Sequence, residues 1–108
     1  MGMTTPRLTQ PTIGVLRALL NATDTEPVWG LSICATADLG PGTVYPILTR
    51  LYEHQWVTNW EETTPHPGRP ARRFWKLTDH GRTEAEAALV ARNARRRTTR
   101  YATEPKEK

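Results

Sequence analysis

Apolar residues recur with two different periods along this chain, and the change falls near Trp56. From Pro11 to Asn21, Ile13, Leu16 and Leu20, with Val15 and Leu19 between them, follow the three- and four-residue spacing that gives a helix one apolar face. Pro11 suits the first turn, where a missing backbone N–H costs no hydrogen bond. A polar loop over Asn21 to Pro27 follows. Helical spacing returns from Trp29 to Asp38 through Leu31, Ile33, Cys34 and Ala37, until Gly40-Pro41-Gly42 breaks it. From about Gly42 to Gln55, Val44, Ile47, Leu48 and Leu51 fall at i, i+3, i+4 and i+7. That spacing predicts a third helix with a buried stripe, leaving Thr43, Tyr45, Pro46, Thr49, Arg50 and Glu53 on the other side.

Beyond the third helix, Trp56 to Glu62 and Ala71 to Leu77 are rich in β-branched and aromatic residues, with a Pro/Gly/Thr loop between them. They predict one hairpin, which is unstable alone and must rest on the helices. Alternation directs Trp75 and Leu77 inward and leaves Arg72, Phe74 and Lys76 on the other side. Thr78 is placed to cap a last helix from Asp79. Ala85, Ala88 and Leu89 give that helix a narrow small-residue face. Beyond Val90 the apolar stripe is lost, so the helix is expected to fray before Tyr101. The predicted order is therefore helix, helix, helix, hairpin, helix. It describes a mainly α fold with a β-hairpin wing, a winged helix-turn-helix, although local pattern alone also suits a small α+β interaction domain.

The 108 residues fit a single domain. The expected division is a flexible arm over 1–10, a folded domain over 11–100 and a disordered tail over 101–108. The net charge is +4, and its distribution is more telling. Arg69, Arg72, Arg73, Lys76, Arg82, Arg92, Arg95, Arg96, Arg97 and Arg100 face only Asp79, Glu84 and Glu86 in the same stretch. That bias suits a polyanion. No apolar run approaches the ~20 residues of a membrane span. The start carries no signal-peptide pattern, so a cytoplasmic location is expected.

Chemistry beyond binding finds little support. His54, His66 and His80 are scattered, with no carboxylate pair, nucleophile constellation or metal-ligand set, so neither an enzyme nor a metal or cofactor site is expected. The single cysteine, Cys34, reads as core. Trp29, Trp56, Trp60 and Trp75 read as packing aromatics.

A sharper signal lies in the succession from Gly42 to Leu51, Gly-Thr-Val-Tyr-Pro-Ile-Leu-Thr-Arg-Leu. It is followed by Trp60-Glu61 and by Gly68-Arg69-Pro70, then Phe74-Trp75-Lys76-Leu77-Thr78-Asp79-His80-Gly81. Together these resemble the PadR family of bacterial transcriptional regulators over roughly Ile13 to Leu89. In that family the first motif opens the recognition helix and the second marks the wing and the helix after it. Two departures are Pro41, where relatives commonly have a capping Ser, and a short C-terminal region.

The resemblance implies a sequence-specific double-stranded DNA-binding regulator, a repressor acting as a homodimer on a palindromic operator. The alternative is a winged-helix module for RNA or protein without operator specificity. DNA contacts are expected from Thr43, Tyr45, Pro46, Thr49 and Arg50 of the recognition helix and from Arg69, Arg72 and Arg73 of the wing, with Arg69 at the tip. Dimerisation is expected through Ala85, Ala88 and Leu89. A small aromatic effector near the dimer interface is a further partner that the resemblance implies.

Overall fold

The computed structural model describes residues 6, 8–64 and 66–103, with side chains as far as Ala94. Most of the expected arm and tail, and the side chains of Arg95 to Arg100, lie outside the described residues. Helix α1 (Gln10–Leu20) starts one residue before Pro11 because Thr9 is its N-cap. The Thr9 hydroxyl accepts the Thr12 N–H at 3.4 Å.

Strand β1 (Val28–Trp29) runs directly into helix α2 (Gly30–Ala37). The helix expected from Trp29 is thus shorter, because Trp29 is its N-cap. The Ser32 hydroxyl accepts the Trp29 N–H at 2.8 Å. Ile33 and Cys34 are buried, whereas Leu31 is 59% exposed. At 100° per residue, Leu31 falls on the opposite side of the helix from Ile33. It is therefore not part of the core stripe.

Helix α3 (Pro41–Glu53) begins one residue ahead of the expected Gly42. Gly40 is the N-cap, and its carbonyl accepts the Thr43 and Val44 N–H groups at 3.0 Å each. Pro41 occupies the first turn, where its fixed φ suits the helix and its missing N–H has no intrahelical partner to lose. The proline that ends α2's pattern therefore starts α3. The predicted stripe of Val44, Ile47, Leu48 and Leu51 is buried.

Strands β2 (Val57–Glu61) and β3 (Arg73–Leu77) form the expected hairpin, but the sheet has three antiparallel strands in the order β1-β3-β2. Val28 pairs with Trp75 and Trp29 with Phe74, which occupies part of the free edge of β3. A two-residue strand has no period to read, so it left no trace in the pattern. Trp75 and Leu77 face inward as alternation predicts, joining Trp56, Val57 and the stripes of α1 and α3 in one core. Each large side chain buried there contributes about 1.5–3 kcal/mol.

Helix α4 (Asp79–Thr103) continues beyond the expected fraying point. Ala and Arg are strong helix formers, so helical backbone does not require an apolar stripe there. Its start is fixed to the α3–β2 junction by Thr78. That hydroxyl donates to the Gln55 carbonyl and accepts the Gly81 N–H, both at 2.8 Å. Among the described residues no helix is long and apolar enough to cross a membrane.

Candidate nucleic-acid interface

The stripe that anchors α3 to the core dictates what its other face presents. Thr43, Pro46, Thr49 and Arg50 are all exposed, and Tyr45 is 40% exposed. The exposed face therefore brings together all five residues predicted for the recognition helix. Arg50 has no ion-pair partner among the described residues, Glu53 included. Tyr45 leans across Gly30, where any side chain would collide with its ring and hydroxyl. The missing Cβ of Gly30 thus leaves the room that the Tyr45 ring occupies.

The wing separates its three arginines. Arg69, expected to reach outward at the tip, turns back onto Glu62, with Nη1 and Nη2 donating to the two carboxylate oxygens at 3.0 and 3.2 Å. Arg73 donates to the Asn59 side-chain carbonyl at 2.7 Å. Arg72 has its guanidinium 3.9 Å from the centroid of the Trp29 ring. That cation–π contact is worth about 0.5–1 kcal/mol at a partly exposed site. The Arg72 guanidinium has no acidic partner among the described residues.

Glu62 ties the wing together. It also accepts the Arg72 backbone N–H at 3.2 Å and lies 3.2 Å from His66 Nε2. The Arg69 hydrogen bonds, then the Arg72 N–H, hold its carboxyl below the usual carboxylate range, against the opposing effect of burial. The loop between these partners turns at Gly68, whose φ of 89° is the left-handed conformation that glycine adopts freely.

Trp29, Leu31 and Tyr45 line, together with Arg69 to Arg73, a groove of about 450 Å³. Tyr45 is the residue through which α3 reaches it. Sequence reasoning missed Glu62, Trp29 and Leu31 here. The only signals were an acidic residue opposite the Gly68-Arg69-Pro70 turn and an apolar residue two positions before a core isoleucine.

Of the expected dimerisation residues, Ala85 is fully buried in the core of its own chain. Ala88 and Leu89 are half-buried, and the adjacent Val90 is 69% exposed. The four tryptophans also divide: Trp56 and Trp75 are core, while Trp29 and Trp60 flank Phe74 on the outer face of the sheet at ring separations of 6.1 and 5.5 Å.

The fold is shared with known structures. A PadR-like transcription factor from Bacteroides fragilis superposes with a TM-score of 0.63 at 21% identity, covering 87% of this chain and 92% of that one. A PadR-like transcriptional regulator from Bacillus cereus gives 0.69 at 16% identity, covering 88% and 92%. The transcriptional regulator PcaV from Streptomyces coelicolor, in complex with its natural ligand, gives 0.65 at 21% identity, covering 95% and 67%. No curated protein matches in sequence. The model of the transcriptional regulator PadR-like family matches residues 19–87, more than half of the chain and the span that holds α2, α3, the wing and the start of α4. The chain belongs to the PadR-like family of transcriptional regulators.

Proposed function

We propose that the chain is a sequence-specific double-stranded DNA-binding repressor that acts as a homodimer on a palindromic operator. The observation that carries this reading is the exposed side of α3, where Arg50 has no ion-pair partner among the described residues and Tyr45 shares a groove with Arg69 to Arg73 of the wing. An α-helix fits the major groove, and Arg50 has the geometry to read guanine, while Thr43 and Tyr45 near the helix start suit phosphates. Pro46 and Thr49 complete the surface that meets the groove.

Dimerisation is assigned to α4, whose Leu89 and Val90 leave apolar surface partly uncovered by their own chain. A two-fold dimer would set two copies of α3 about 34 Å apart, one turn of DNA, which is the reason for expecting a palindrome. A small aromatic effector is part of the proposal. The ligand-bound structure of PcaV supports it as a device available to this fold. Such a regulator works where the chromosome is, in the cytoplasm.

The test uses a duplex carrying the chain's own promoter region. Binding should be sequence-selective and should weaken steeply between about 50 and 200 mM salt. Arg50→Ala should lose about 1–3 kcal/mol of discrimination between the duplex and a scrambled one. Equal binding to both duplexes by the unaltered protein would reject the specific regulator.

A further inference from the structure

The three wing arginines are in different states. Arg69 already donates to a carboxylate and Arg73 to an amide, whereas the Arg72 guanidinium rests on an indole face. Stacking occupies the plane of a guanidinium and leaves its in-plane N–H groups free for an acceptor. A long side chain ordinarily loses rotamer freedom when it binds, and a surface that holds it beforehand removes part of that loss.

Trp29 is such a surface because it has little freedom of its own. Its backbone pairs with Phe74 in β1, its N–H is accepted by the Ser32 hydroxyl at 2.8 Å, and its ring meets the Phe74 ring edge-on at 6.1 Å. The same groove is lined by Leu31, 59% exposed, and by Tyr45 of the recognition helix. A cation with open N–H groups beside an apolar wall matches a DNA strand, whose phosphates alternate with apolar sugar faces.

We propose that Trp29 is a positioning residue that holds Arg72 ready for a DNA phosphate. Arg72, rather than Arg69, is then the wing's principal contact, and Leu31 and Tyr45 meet the adjoining sugar. The inference rests on the reading of the chain as a DNA-binding regulator and adds α2 and β1 to the footprint. Arg69 has a different role, as Glu62's partner in shaping the wing.

The test is a titration of labelled duplex with the unaltered protein, Arg72→Ala, Trp29→Leu, Trp29→Phe and the Trp29→Leu/Arg72→Ala double variant over a salt series. Thermal unfolding checks that each variant is folded. Arg72→Ala should weaken binding about fivefold and lower the slope of log K against log salt by about 0.9, one phosphate contact. Trp29→Leu leaves the Arg72 charge in place, so it should weaken binding about two- to threefold and keep the slope. The double variant should bind no more weakly than Arg72→Ala, and Trp29→Phe, which keeps a ring face, should bind as the unaltered protein does.

Losses that add in the double variant, or an unaltered affinity in Trp29→Leu, would overturn the assignment. Should Trp29→Leu fail to fold, the Arg72 Nε–Hε NMR resonance of the unaltered protein decides. It should be shifted upfield by the indole ring and should move when duplex is added. An unshifted or unresponsive resonance overturns the assignment as well. If the unaltered protein does not distinguish its duplex from a scrambled one, the DNA-binding reading itself falls. Additive losses on a duplex that it does recognise defeat only the role given to Trp29.

Discussion

Gly81 is where a single methyl group should do most damage. A Cβ at this position would lie within 2.6 Å of the Trp56 carbonyl carbon and 2.7 Å of its Cα, both backbone atoms that no rotamer change can move. The same carbonyl accepts the Thr78 N–H at 2.9 Å, so the collision falls on the corner where α4 is pinned to the α3–β2 junction. Forcing atoms into a packed site costs about 1–3 kcal/mol. Loosening the Thr78 cap costs about 1 kcal/mol more. Replacing Gly by Ala within a helix returns about 0.5–1 kcal/mol.

The net loss for Gly81→Ala is about 2 kcal/mol, equivalent to a fall in Tm of about 8–16 °C for a domain of this size. Denaturant or thermal unfolding at fixed protein concentration measures it, since association would make the midpoint concentration-dependent. Gly42→Ala is the control, because a Cβ there meets nothing within 4 Å. It should be neutral or slightly stabilising. Equal stability of Gly81→Ala and the unaltered protein would refute the argument that the glycine exists to let α4 approach the Trp56 carbonyl.

The Glu62 clamp predicts a pH signature. Because the folded carboxyl titrates below its ordinary value of 4.5, its contribution is fully present above that value and is lost as pH falls through the lowered one. The stability difference between the unaltered protein and Glu62→Gln should therefore be constant near neutrality and shrink in acid, as read from unfolding curves; a difference independent of pH would contradict the clamp. Leu89→Asp should raise the dimer dissociation constant at least about tenfold, because a carboxylate in an apolar seam loses its hydration. Sedimentation showing an unaltered dimer would place the interface elsewhere.

The helices were legible because their core contacts are periodic. Val44, Ile47, Leu48 and Leu51 announce α3, and Trp75 and Leu77 announce the inward face of β3. What escaped was set by single residues or by distant partners. Pro41 read as a lost cap, yet at the first helical position it is a favoured residue. The two residues of β1 became a strand because β3 offers them a partner, which the local pattern does not record.

The α3 part of the site was legible to the level of which face each residue occupies, whereas Leu31 read as part of an apolar stripe and is exposed. The exposed side of α3 followed from its buried stripe. The fate of each wing arginine did not, because Glu62 is seven residues from Arg69, Asn59 fourteen from Arg73, and Trp29 more than forty from Arg72. Chain reversal decides those pairings. Composition shows only that the wing is basic.

The central claim is that α3 and the wing read a particular DNA sequence as part of a two-fold pair. Repeated selection of duplexes from a random pool by the purified protein tests it most directly. The account predicts enrichment of an inverted repeat whose half-sites are centred about 10 base pairs apart, one helical turn. A pool that stays random after selection, or one that converges on a single unrepeated site, would contradict it.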